Sequence, residues 1–324
     1  MKKTSIIVVL SLLFLGMFFI PNVPQVGAAT MTDLTSPIII NDDSEFQHYI
    51  DQGIITGSGN TDTDPYIIQN YAFDQAQVGN IAIRIQHTTK FFTIQHCTFT
   101  GNNVMQAIEL RDNGLSTAKV YDNTFDHLSL LYGIISWANT GVKIDSNSFD
   151  YSAGVSIYIA ENGNLTAISN NAFIGGGKAA VVIDSGNING ISNNLFQEFA
   201  GDIAIDISGT GILNLIGPNT FIDSDATGSL VKDDSTTNVN KDYWNGNYYS
   251  NYDNSGTYQI GGSAGLVDTN PKTTPPVASE TGTIVPNTHT VPSDPGIPFS
   301  TSGFIIAIVL ASLYSIRLKS RKQR

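Results

Sequence analysis

The sequence is poor in the residues that cross-link many small extracellular domains. Its 324 residues include one cysteine, Cys97, so no disulfide can form within the chain. The sequence also contains no phosphate-binding glycine loop, no zinc-ligand spacing and no nucleophile motif. Leu-Pro-x-Thr-Gly is missing too, which argues against attachment to a bacterial wall by a sortase. The fold must therefore be held together by its core and its hydrogen bonds.

Basic residues are scarce as well. The chain has 16 Lys and Arg against 28 Asp and Glu, a formal net charge of −12. Residues 30 to 300 contain nine of the basic residues and all of the acidic ones, which gives this part a charge of −19. A surface this acidic argues against nucleic acid and anionic lipid as partners. It is compatible with cations, neutral sugars or a high-salt exterior.

What the sequence has in abundance is a repeat. Phenylalanine returns every 23 to 26 residues, at Phe73, Phe99, Phe125, Phe149, Phe173, Phe196 and Phe221. In most repeats it ends a phrase of an apolar residue, two variable residues, Asn and one more residue, as in Ile-Ser-Asn-Asn-Ala-Phe at 168–173. Trp244 is predicted to take the next position. A period in this range indicates one structural unit stacked many times.

Strictly alternating apolar runs accompany the repeat, for example at 81–85, 155–159 and 203–207. This alternation is typical of short strands, and helical spacing is absent from the repeats. A repeat of about 24 residues is too short for a four-stranded propeller blade, and a leucine-rich repeat needs Leu rather than Phe and usually a helix. The sequence therefore predicts an all-β, single-stranded parallel β-helix of about eight coils, with about three short strands per coil.

The repeated Asn and Phe then have structural roles. We expect the Asn to lie at a sharp bend, because Asn tolerates the left-handed backbone region and can bond to its own backbone or to the next Asn. The Phe is predicted to stack on its equivalents inside the rod. Cys97 and Tyr71 stand where two earlier coils should carry Asn. A small thiol can replace the amide sterically but loses its hydrogen bonds.

The two ends of the chain differ from the repeats. Residues 1–29 have the basic start, apolar run and small residues of a signal peptide, the alternative being an uncleaved anchor helix. Residues 269–298 are rich in Pro, Thr and Ser and are predicted to form a disordered stalk. The apolar stretch 299–316 is a candidate transmembrane helix. The basic tail 317–324 would then lie in the cytoplasm, with the β-helix outside the cell.

The open ends of a β-helix need covers, since they expose strand edges and apolar core. At the N-terminal cap, residues 38–70, a short amphipathic helix is predicted over Ser44 to Gln52 with Ser44 as its N-cap. At the C-terminal cap, residues 240–268, the aromatic segment Trp244 to Tyr252 is predicted to cover the last coil.

Two segments carry a family resemblance. They are Gly-Ser-Gly-Asn-Thr-Asp-Thr-Asp-Pro-Tyr-Ile-Ile at 57–68 and Trp-Asn-Gly-Asn-Tyr-Tyr-Ser-Asn-Tyr-Asp at 244–253. With the Asn-x-Phe coils, they resemble the NosD-like group of right-handed parallel β-helix proteins. The chain departs from that pattern at Asn60, Tyr249 and Asn251. The resemblance implies a right-handed fold and leaves the activity open between copper delivery, carbohydrate-active domains and surface proteins. The C-terminal tail resembles the tripartite signals of archaeal surface proteins.

The resemblance to a group that includes copper-delivery proteins makes metal ligands relevant. Copper sites use His, Met and Cys, and the candidates are His48, His87, His96, His127, His289, Met31, Met105 and Cys97. We do not expect a copper site, because His96 and Cys97 point to opposite faces of a strand. Calcium is the better candidate, since Asp126 and Asp150 both follow the repeat Phe in adjacent coils. The alternative is that these are solvated turn aspartates.

Glycan chemistry is the third possibility. Asp184 and Asp206 fall at nearly the same phase one coil apart, and glycosidases need paired carboxylates. Arg84, Glu109 and Arg111 occupy the equivalent strands of earlier coils, where Arg84 and Glu109 are expected to form a surface ion pair. An enzyme predicts that Arg84 and the two aspartates converge beside aromatic residues. A scaffold predicts that they are spread along the surface.

Aromatic residues offer a binding surface for sugar rings. Trp137, Tyr132 and Tyr158 are predicted to form a stacking platform, the alternative for Trp137 being core or cap packing. Asn164 begins an N-glycosylation sequon and is expected at an outer turn. We therefore expect a membrane-anchored extracellular module that binds a glycan or a surface protein, or serves a structural role. A polysaccharide lyase or hydrolase and a copper-handling protein are the alternatives.

Overall fold

The computed structural model describes residues 30–276 apart from 75–77, 102–105, 127–131, 151–153, 162, 176, 188, 200–202, 211–213, 223–229 and 236–241. The chain divides into two compact units, Met1–Glu280 and Thr281–Arg324, and the described residues belong to the first. The predicted signal peptide, membrane helix and basic tail lie outside the described residues, as does most of the predicted stalk. Within the described ranges, no helix is long and apolar enough to cross a membrane.

Three long sheets make up the fold. Sheet A consists of β1 (Thr32–Leu34), β5 (Tyr71–Asp74), β8 (Thr98–Thr100), β11 (Thr124–Asp126), β14 (Ser148–Asp150), β17 (Ala172–Ile174), β20 (Leu195–Gln197), β23 (Thr220–Ile222) and β26 (Tyr248–Tyr249). Sheet B consists of β2 (Ile38–Ile40), β6 (Ile81–Gln86), β9 (Gln106–Arg111), β12 (Tyr132–Trp137), β15 (Val155–Ala160), β18 (Ala179–Asp184), β21 (Ile203–Ser208) and β24 (Val231–Asp233). Sheet C consists of β3 (Ile55–Thr56), β4 (Tyr66–Gln69), β7 (Phe92–Gln95), β10 (Ala118–Tyr121), β13 (Lys143–Asp145), β16 (Ala167–Ser169), β19 (Gly190–Ser192), β22 (Leu215–Ile216) and β25 (Tyr243–Trp244).

Each strand pairs with its equivalent in the next coil, so that neighbours in a sheet come from successive repeats. Phe125 of β11, for example, lies opposite Phe99 of β8 on one side and Phe149 of β14 on the other. This pairing is parallel throughout the coils; β3 pairs with β4 in the antiparallel sense, as does β27 (Tyr258–Gln259) with β28 (Val267–Asp268). The predicted right-handed parallel β-helix is confirmed, and sheets of nine, nine and eight strands agree with about eight coils.

The repeat phenylalanines form a continuous stack inside the rod. Neighbouring ring centroids from Phe73 to Phe221 are 4.5–5.1 Å apart, and the rings are within about 11° of parallel. The prediction that Trp244 continues the stack is wrong. Tyr249 does so, 5.1 Å from Phe221, while Trp244 pairs with Ile216 in sheet C. Asn247-Tyr-Tyr249 preserves the Asn-x-aromatic phrase, and this places Tyr249 rather than Trp244 in the stack.

The repeat asparagines form a buried hydrogen-bonded ladder beside that stack. The amide nitrogen Nδ2 of each residue donates to the Oδ1 of the next at 3.0 Å, along Asn123, Asn147, Asn171, Asn194, Asn219 and Asn247. The left-handed conformation was predicted for the Asn itself, and this is wrong. It falls on the preceding residue, as at Asp122 (φ 52°) and Ser146 (φ 56°). The Asn side chain instead forms hydrogen bonds with buried backbone groups of two coils.

The N-terminal cap begins with α1 (Phe46–Asp51), which confirms the predicted helix. Its N-cap is Glu45, not Ser44, because the Ser44 hydroxyl donates to Asp42 at 2.5 Å. Phe46 is buried and stacks on Tyr66, with ring centroids 4.2 Å apart. The helix thereby closes the first coil with an apolar contact.

The loop that follows α1 contains the opening motif of the family resemblance. A side chain at Gly57 would lie 1.9 Å from the carbonyl oxygen of Pro65, and one at Gly59 would lie 2.4 Å from the ring of Tyr66. Both glycines have positive φ, which disfavours other residues. Ser58 donates to Asp64 at 2.6 Å. The motif therefore builds a compact loop that glycine alone can form.

The C-terminal cap contains the predicted aromatic segment and extends beyond it. Tyr258 stacks on Tyr249 at 3.6 Å and ends the aromatic column. The cap continues past the expected boundary at Asp268, since the backbone N–H of Lys272 donates to the carbonyl oxygen of Asn247 at 2.7 Å. The first residues after 268 thus belong to the cap rather than to the predicted stalk.

Candidate functional site

Sheet B gathers the predicted ligand-binding residues and the candidate catalytic pair on one side of the rod. Its register forms two rows that run along the helix axis. The first row is Arg84, Glu109, Ile135, Tyr158, Val182, Asp206 and Lys232, and the second is Gln86, Arg111, Trp137, Ala160, Asp184 and Ser208. We call the surface formed by these two rows, together with Tyr132 and Gln106, the sheet B face. Neighbouring members of a row are about 4.8 Å apart.

The N-terminal part of the sheet B face is an ion cluster. The Arg84 Nε atom donates to Glu109 Oε2 at 3.0 Å, and Gln106 donates to the same oxygen at 3.2 Å. Arg111 Nε lies 3.8 Å from Glu109 Oε1. The predicted pairing of Arg84 with Glu109 is present, but Glu109 is buried (5% exposed) rather than on the surface. One buried carboxylate therefore lies between two partly exposed guanidinium groups.

Aromatic side chains occupy the middle of the sheet B face. The rings of Tyr132 and Tyr158 are 4.9 Å apart, and those of Trp137 and Tyr158 are 6.3 Å apart. The guanidinium of Arg111 lies 5.2 Å from the centre of the Trp137 ring, a cation–π distance. Both Trp137 and Tyr158 are partly exposed. The structure thus places Trp137 on the outside of sheet B, not in the core or in a cap.

Carboxylates follow at the C-terminal part. The Tyr158 hydroxyl donates to Asp184 Oδ2 at 3.0 Å. Burial and then this bond raise the pKa of Tyr158 to about 12, so the hydroxyl remains a donor. Burial also raises the pKa of Asp206, against the opposing effect of Lys232, whose Nζ lies 3.9 Å from Asp206 Oδ1. Asp234 forms a closer ion pair with Lys232, at 2.5 Å.

The positions of these groups distinguish the two geometries that the sequence left open, namely convergence at one site and a spread along the surface. Asp184 is opposite Ser208, whereas Asp206 is opposite Val182, so the two aspartates are diagonal neighbours on adjacent strands. Arg84 lies four strands from Asp184 in sheet B, a separation of about 19 Å. Asp184 therefore lies beside Tyr158 with Asp206 as its diagonal neighbour, but Arg84 does not converge with them. These residues are spread along a long surface and do not converge on a single reaction centre.

The calcium candidates lie on sheet A. Asp126 and Asp150 are direct register partners on β11 and β14, as their equal phase predicted. The next positions along the row are Thr100 and Ile174. Among the described residues, no group of three or more His, Cys, Asp or Glu side chains could hold a metal ion. Calcium binding at this pair therefore stays a prediction.

The candidate copper ligands are dispersed where the structure describes them. His96 pairs with Asp122 at 3.0 Å, and His87 lies 3.5 Å from Asp112. Cys97 is buried inside the rod, and burial raises the pKa of its thiol to about 12. Its thiol therefore stays protonated at neutral pH. His127, His289 and Met105 lie outside the described residues.

The sequon asparagine is involved in a contact between coils. Asn164 Oδ1 accepts hydrogen bonds from the backbone and the side chain of Asn187 at 3.1 and 2.9 Å. Thr166, the third sequon residue, is 1% exposed. A modifying enzyme would have to reach this sequon before the coil closes.

Sequence reasoning missed a group of buried acidic residues near the last coils. Asp233, Asp242 and Asp268 are almost fully buried. Asp268 ends the asparagine ladder, since its Oδ2 accepts from the backbone and Nδ2 of Asn247 at 3.0 and 2.9 Å. Asp242 ends a second, shorter ladder and accepts from Asn214. For Asp242 and Asp268 the available signal was their position after Asn-bearing repeats, because each accepts the hydrogen bonds that the next Asn of its ladder would accept.

The fold defines a repeat β-helix protein. The family model for BspA-type leucine-rich repeat regions matches six copies within residues 66–203. The matched residues are fewer than half of the chain. The match contrasts with the sequence analysis, which argued against a leucine-rich repeat because the repeats lack the expected Leu and helix. No curated protein matches significantly.

One solved structure is similar at low level. It is the crystal structure of DFA-IIIase from Arthrobacter chlorophenolicus A6, with 13% sequence identity and a TM-score of 0.33. The match covers 64% of this chain and 55% of the other, so the chain spans little more than half of that protein's length.

Proposed function

We propose that the protein is an extracellular β-helix module that binds glycan through the sheet B face. The observation that carries this proposal is the partly exposed cluster of Tyr132, Trp137 and Tyr158 on the outer surface of the rod. An aromatic face can stack on the apolar face of a sugar ring. The guanidinium and carboxylate groups on either side can bond to sugar hydroxyls. The alternative is that this face binds a surface protein or has a purely structural role.

The test is the loss of glycan binding when the aromatic face is removed. Trp137→Ala should weaken binding of the purified protein to a glycan array about tenfold, because the stacking contact is lost. Tyr243→Ala is the matched control, since Tyr243 is an exposed aromatic residue (55%) on sheet C. Equal affinity of both variants and the parent, or no glycan binding at all, would favour the structural role.

Attachment to the membrane and the NosD-like identity are parts of the same proposal. They are supported by the signal-like residues 1–29, the apolar stretch 299–316 and the basic tail, together with the compact loop of the opening motif. Protease treatment of intact cells tests the orientation. Digestion of the repeats with protection of the tail is expected, and recovery of the intact chain in the soluble fraction would contradict it.

Catalysis on a polysaccharide is the second candidate, and one observation favours it. Asp184 and Asp206 are diagonal neighbours, so strand spacing and rise place their Cα atoms about 8 Å apart, and carboxyl groups at that separation would suit an inverting glycosidase. The raised pKa of Asp206 suits a proton donor. New reducing ends that disappear in both Asp184→Asn and Asp206→Asn would support an enzyme. Binding without cleavage keeps the binding module.

A further inference from the structure

We propose that the sheet B face selects acidic glycans, with the anionic group held at Arg111 and Arg84 and a neighbouring sugar ring stacked on Trp137. This inference rests on the proposed glycan binding and adds the charge class and the orientation of the ligand.

The first support is a local excess of positive charge. The chain as a whole carries −12, yet the N-terminal part of the sheet B face has two arginines around one carboxylate. Glu109 accepts from Arg84 at 3.0 Å and from Gln106 at 3.2 Å, and both guanidinium groups share this one carboxylate. Arg84 and Arg111 remain 35% and 41% exposed. A ligand anion would therefore meet one uncompensated positive charge at this point.

The second support is the way Arg111 is held. Its 3.8 Å separation from Glu109 is too long for a hydrogen bond. Its other described contact is the 5.2 Å approach to the Trp137 ring. Among the described residues, no partner engages its donors at hydrogen-bond distance. A guanidinium has five N–H donors in a planar fork that suits a carboxylate or a sulfate.

The third support is the order of groups along the axis. Arg111 and Trp137 are register partners on adjacent strands, about 4.8 Å apart, so a ring on Trp137 brings its substituents to Arg111. Tyr158 and Asp184 lie on the other side of Trp137. A carboxylate there accepts hydroxyl donors and repels an anion. This polarity fixes which end of an acidic glycan lies over the arginines.

The experiment compares two probes that differ in charge. One is a hyaluronan hexasaccharide, in which a carboxylate alternates with neutral sugars, and the other is its carboxyl-reduced form. Calorimetric titration of the purified protein at low ionic strength should show about tenfold tighter binding of the acidic probe. The preference should shrink as salt is added, because exposed charges are screened.

Variants locate the preference on the sheet B face. Arg111→Gln should abolish the preference for the acidic probe, so that the acidic and the reduced probe bind with equal affinity. Glu109→Gln should strengthen acidic binding, because it removes the carboxylate that neutralises the arginines. Lys143→Gln is the control, since it removes one positive charge from sheet C and should change neither affinity.

The outcomes separate the two proposals. Equal binding of both probes, or an unchanged preference in Arg111→Gln, would overturn the selection of acidic glycans and leave the binding module in place. Binding of neither probe would overturn both. Circular dichroism of each variant establishes that it is folded, and Glu109→Gln gives an expected gain that misfolding cannot imitate.

Discussion

At the scale of single residues, the asparagine ladder stabilises the fold because its side-chain amides form hydrogen bonds between coils as backbone amides do. Asn171 Nδ2 donates to Ile144 O, Ser169 O and Asn194 Oδ1 at 2.9–3.0 Å. Its Oδ1 accepts from the backbone and side chain of Asn147. Every one of these groups is withdrawn from water, so an unmet partner would cost about 1–3 kcal/mol. The ladder is therefore a stability element along the whole rod.

Cys97 takes the ladder position in its coil, and its thiol forms weaker hydrogen bonds there than an Asn amide does. Its thiol lies 3.3 Å from Gln95 O and 3.9 Å from Ile68 O, which are the equivalents of the acceptors that a ladder Asn uses. Its backbone nitrogen already donates to Asn123 Oδ1 at 2.9 Å. The sequence predicted the replacement, because Cys97 stands two residues before Phe99. The predicted loss of hydrogen bonds is only partial, since the thiol contacts both carbonyl acceptors.

We predict that Cys97→Asn extends the ladder and stabilises the protein by about 1 kcal/mol. The new Nδ2 would bond to Gln95 O and Asn123 Oδ1, replacing weak thiol contacts. The reciprocal change, Asn171→Cys, should destabilise it by about 2 kcal/mol, because amides of adjacent coils lose their partners. Urea unfolding measures both changes. A loss of stability in Cys97→Asn would show that the pocket is too small for the amide.

At the scale of strands, the core depends on a match between large and small residues. The phenylalanine stack faces a column of small buried residues in sheet B that includes Ala82, Ala107, Ala180 and Ala204. Gly133 is the member of this column in β12. A methyl group there would lie 3.2 Å from Phe149 Cε1 and 2.7 Å from the carbonyl oxygen of Ser156. The Phe149 ring and the Ser156 carbonyl therefore leave no room for a methyl group at position 133.

We predict opposite effects for two glycine substitutions in strands. Gly133→Ala should destabilise the protein by about 1–3 kcal/mol, because the core there has no room for the methyl group. Gly190→Ala on β19 should stabilise it by about 0.4–1 kcal/mol, since no atom lies within 4 Å of the added carbon and the unfolded chain loses freedom. Thermal unfolding compares them. Similar shifts for both would mean that β12 relaxes to accept the methyl group.

The strands also show what the sequence could and could not predict. Equal phase placed Asp126 opposite Asp150, each directly after the repeat Phe, and nearly equal phase placed Arg84 opposite Glu109. The contact of Arg111 with Trp137 was missed although the two residues share a phase, twelve residues after Phe99 and Phe125 respectively. Trp244 was misplaced because the spacing of the repeats varies, and the last aromatic step is 28 residues, from Phe221 to Tyr249. The prediction of Ser44 as the N-cap is wrong because the Ser44 hydroxyl donates to the nearby Asp42 carboxylate instead.

At the scale of the whole molecule, acidic charge is both on the surface and inside. The surface charge was evident from composition, whereas the buried carboxylates were not, because composition does not reveal burial. Asp233 accepts from Ser235 N at 3.0 Å and from Trp244 Nε1 at 3.3 Å. Asp242 Oδ1 accepts from Asn214, but its Oδ2 is buried and has no hydrogen-bond partner among the described residues. A proton on Asp242 relieves the repulsion between the two carboxylates.

This proton makes the stability of the C-terminal coils dependent on pH. Burial, reinforced by the charge of Asp233, raises the pKa of Asp242 from 3.8 to about 7. In the unfolded chain the group loses its proton near pH 4, so between about pH 4 and pH 7 only the folded state binds it. The contribution of this proton is therefore fully present below pH 4 and is lost as the pH rises through 7. The slope is at most about 1.4 kcal/mol per pH unit.

Asp242→Asn should remove this dependence. An amide at 242 continues the ladder of Asn189 and Asn214, accepts from Asn214 through Oδ1 and can donate to Asp233 without a titrating proton. We expect the variant to be more stable than the parent at pH 8, and the difference between them to shrink towards pH 4. Asp51→Asn on α1 removes the same charge far along the chain and should leave the slope of the parent unchanged. Urea unfolding between pH 4 and pH 8 tests this, and parallel curves for Asp242→Asn and the parent would place the buried proton elsewhere.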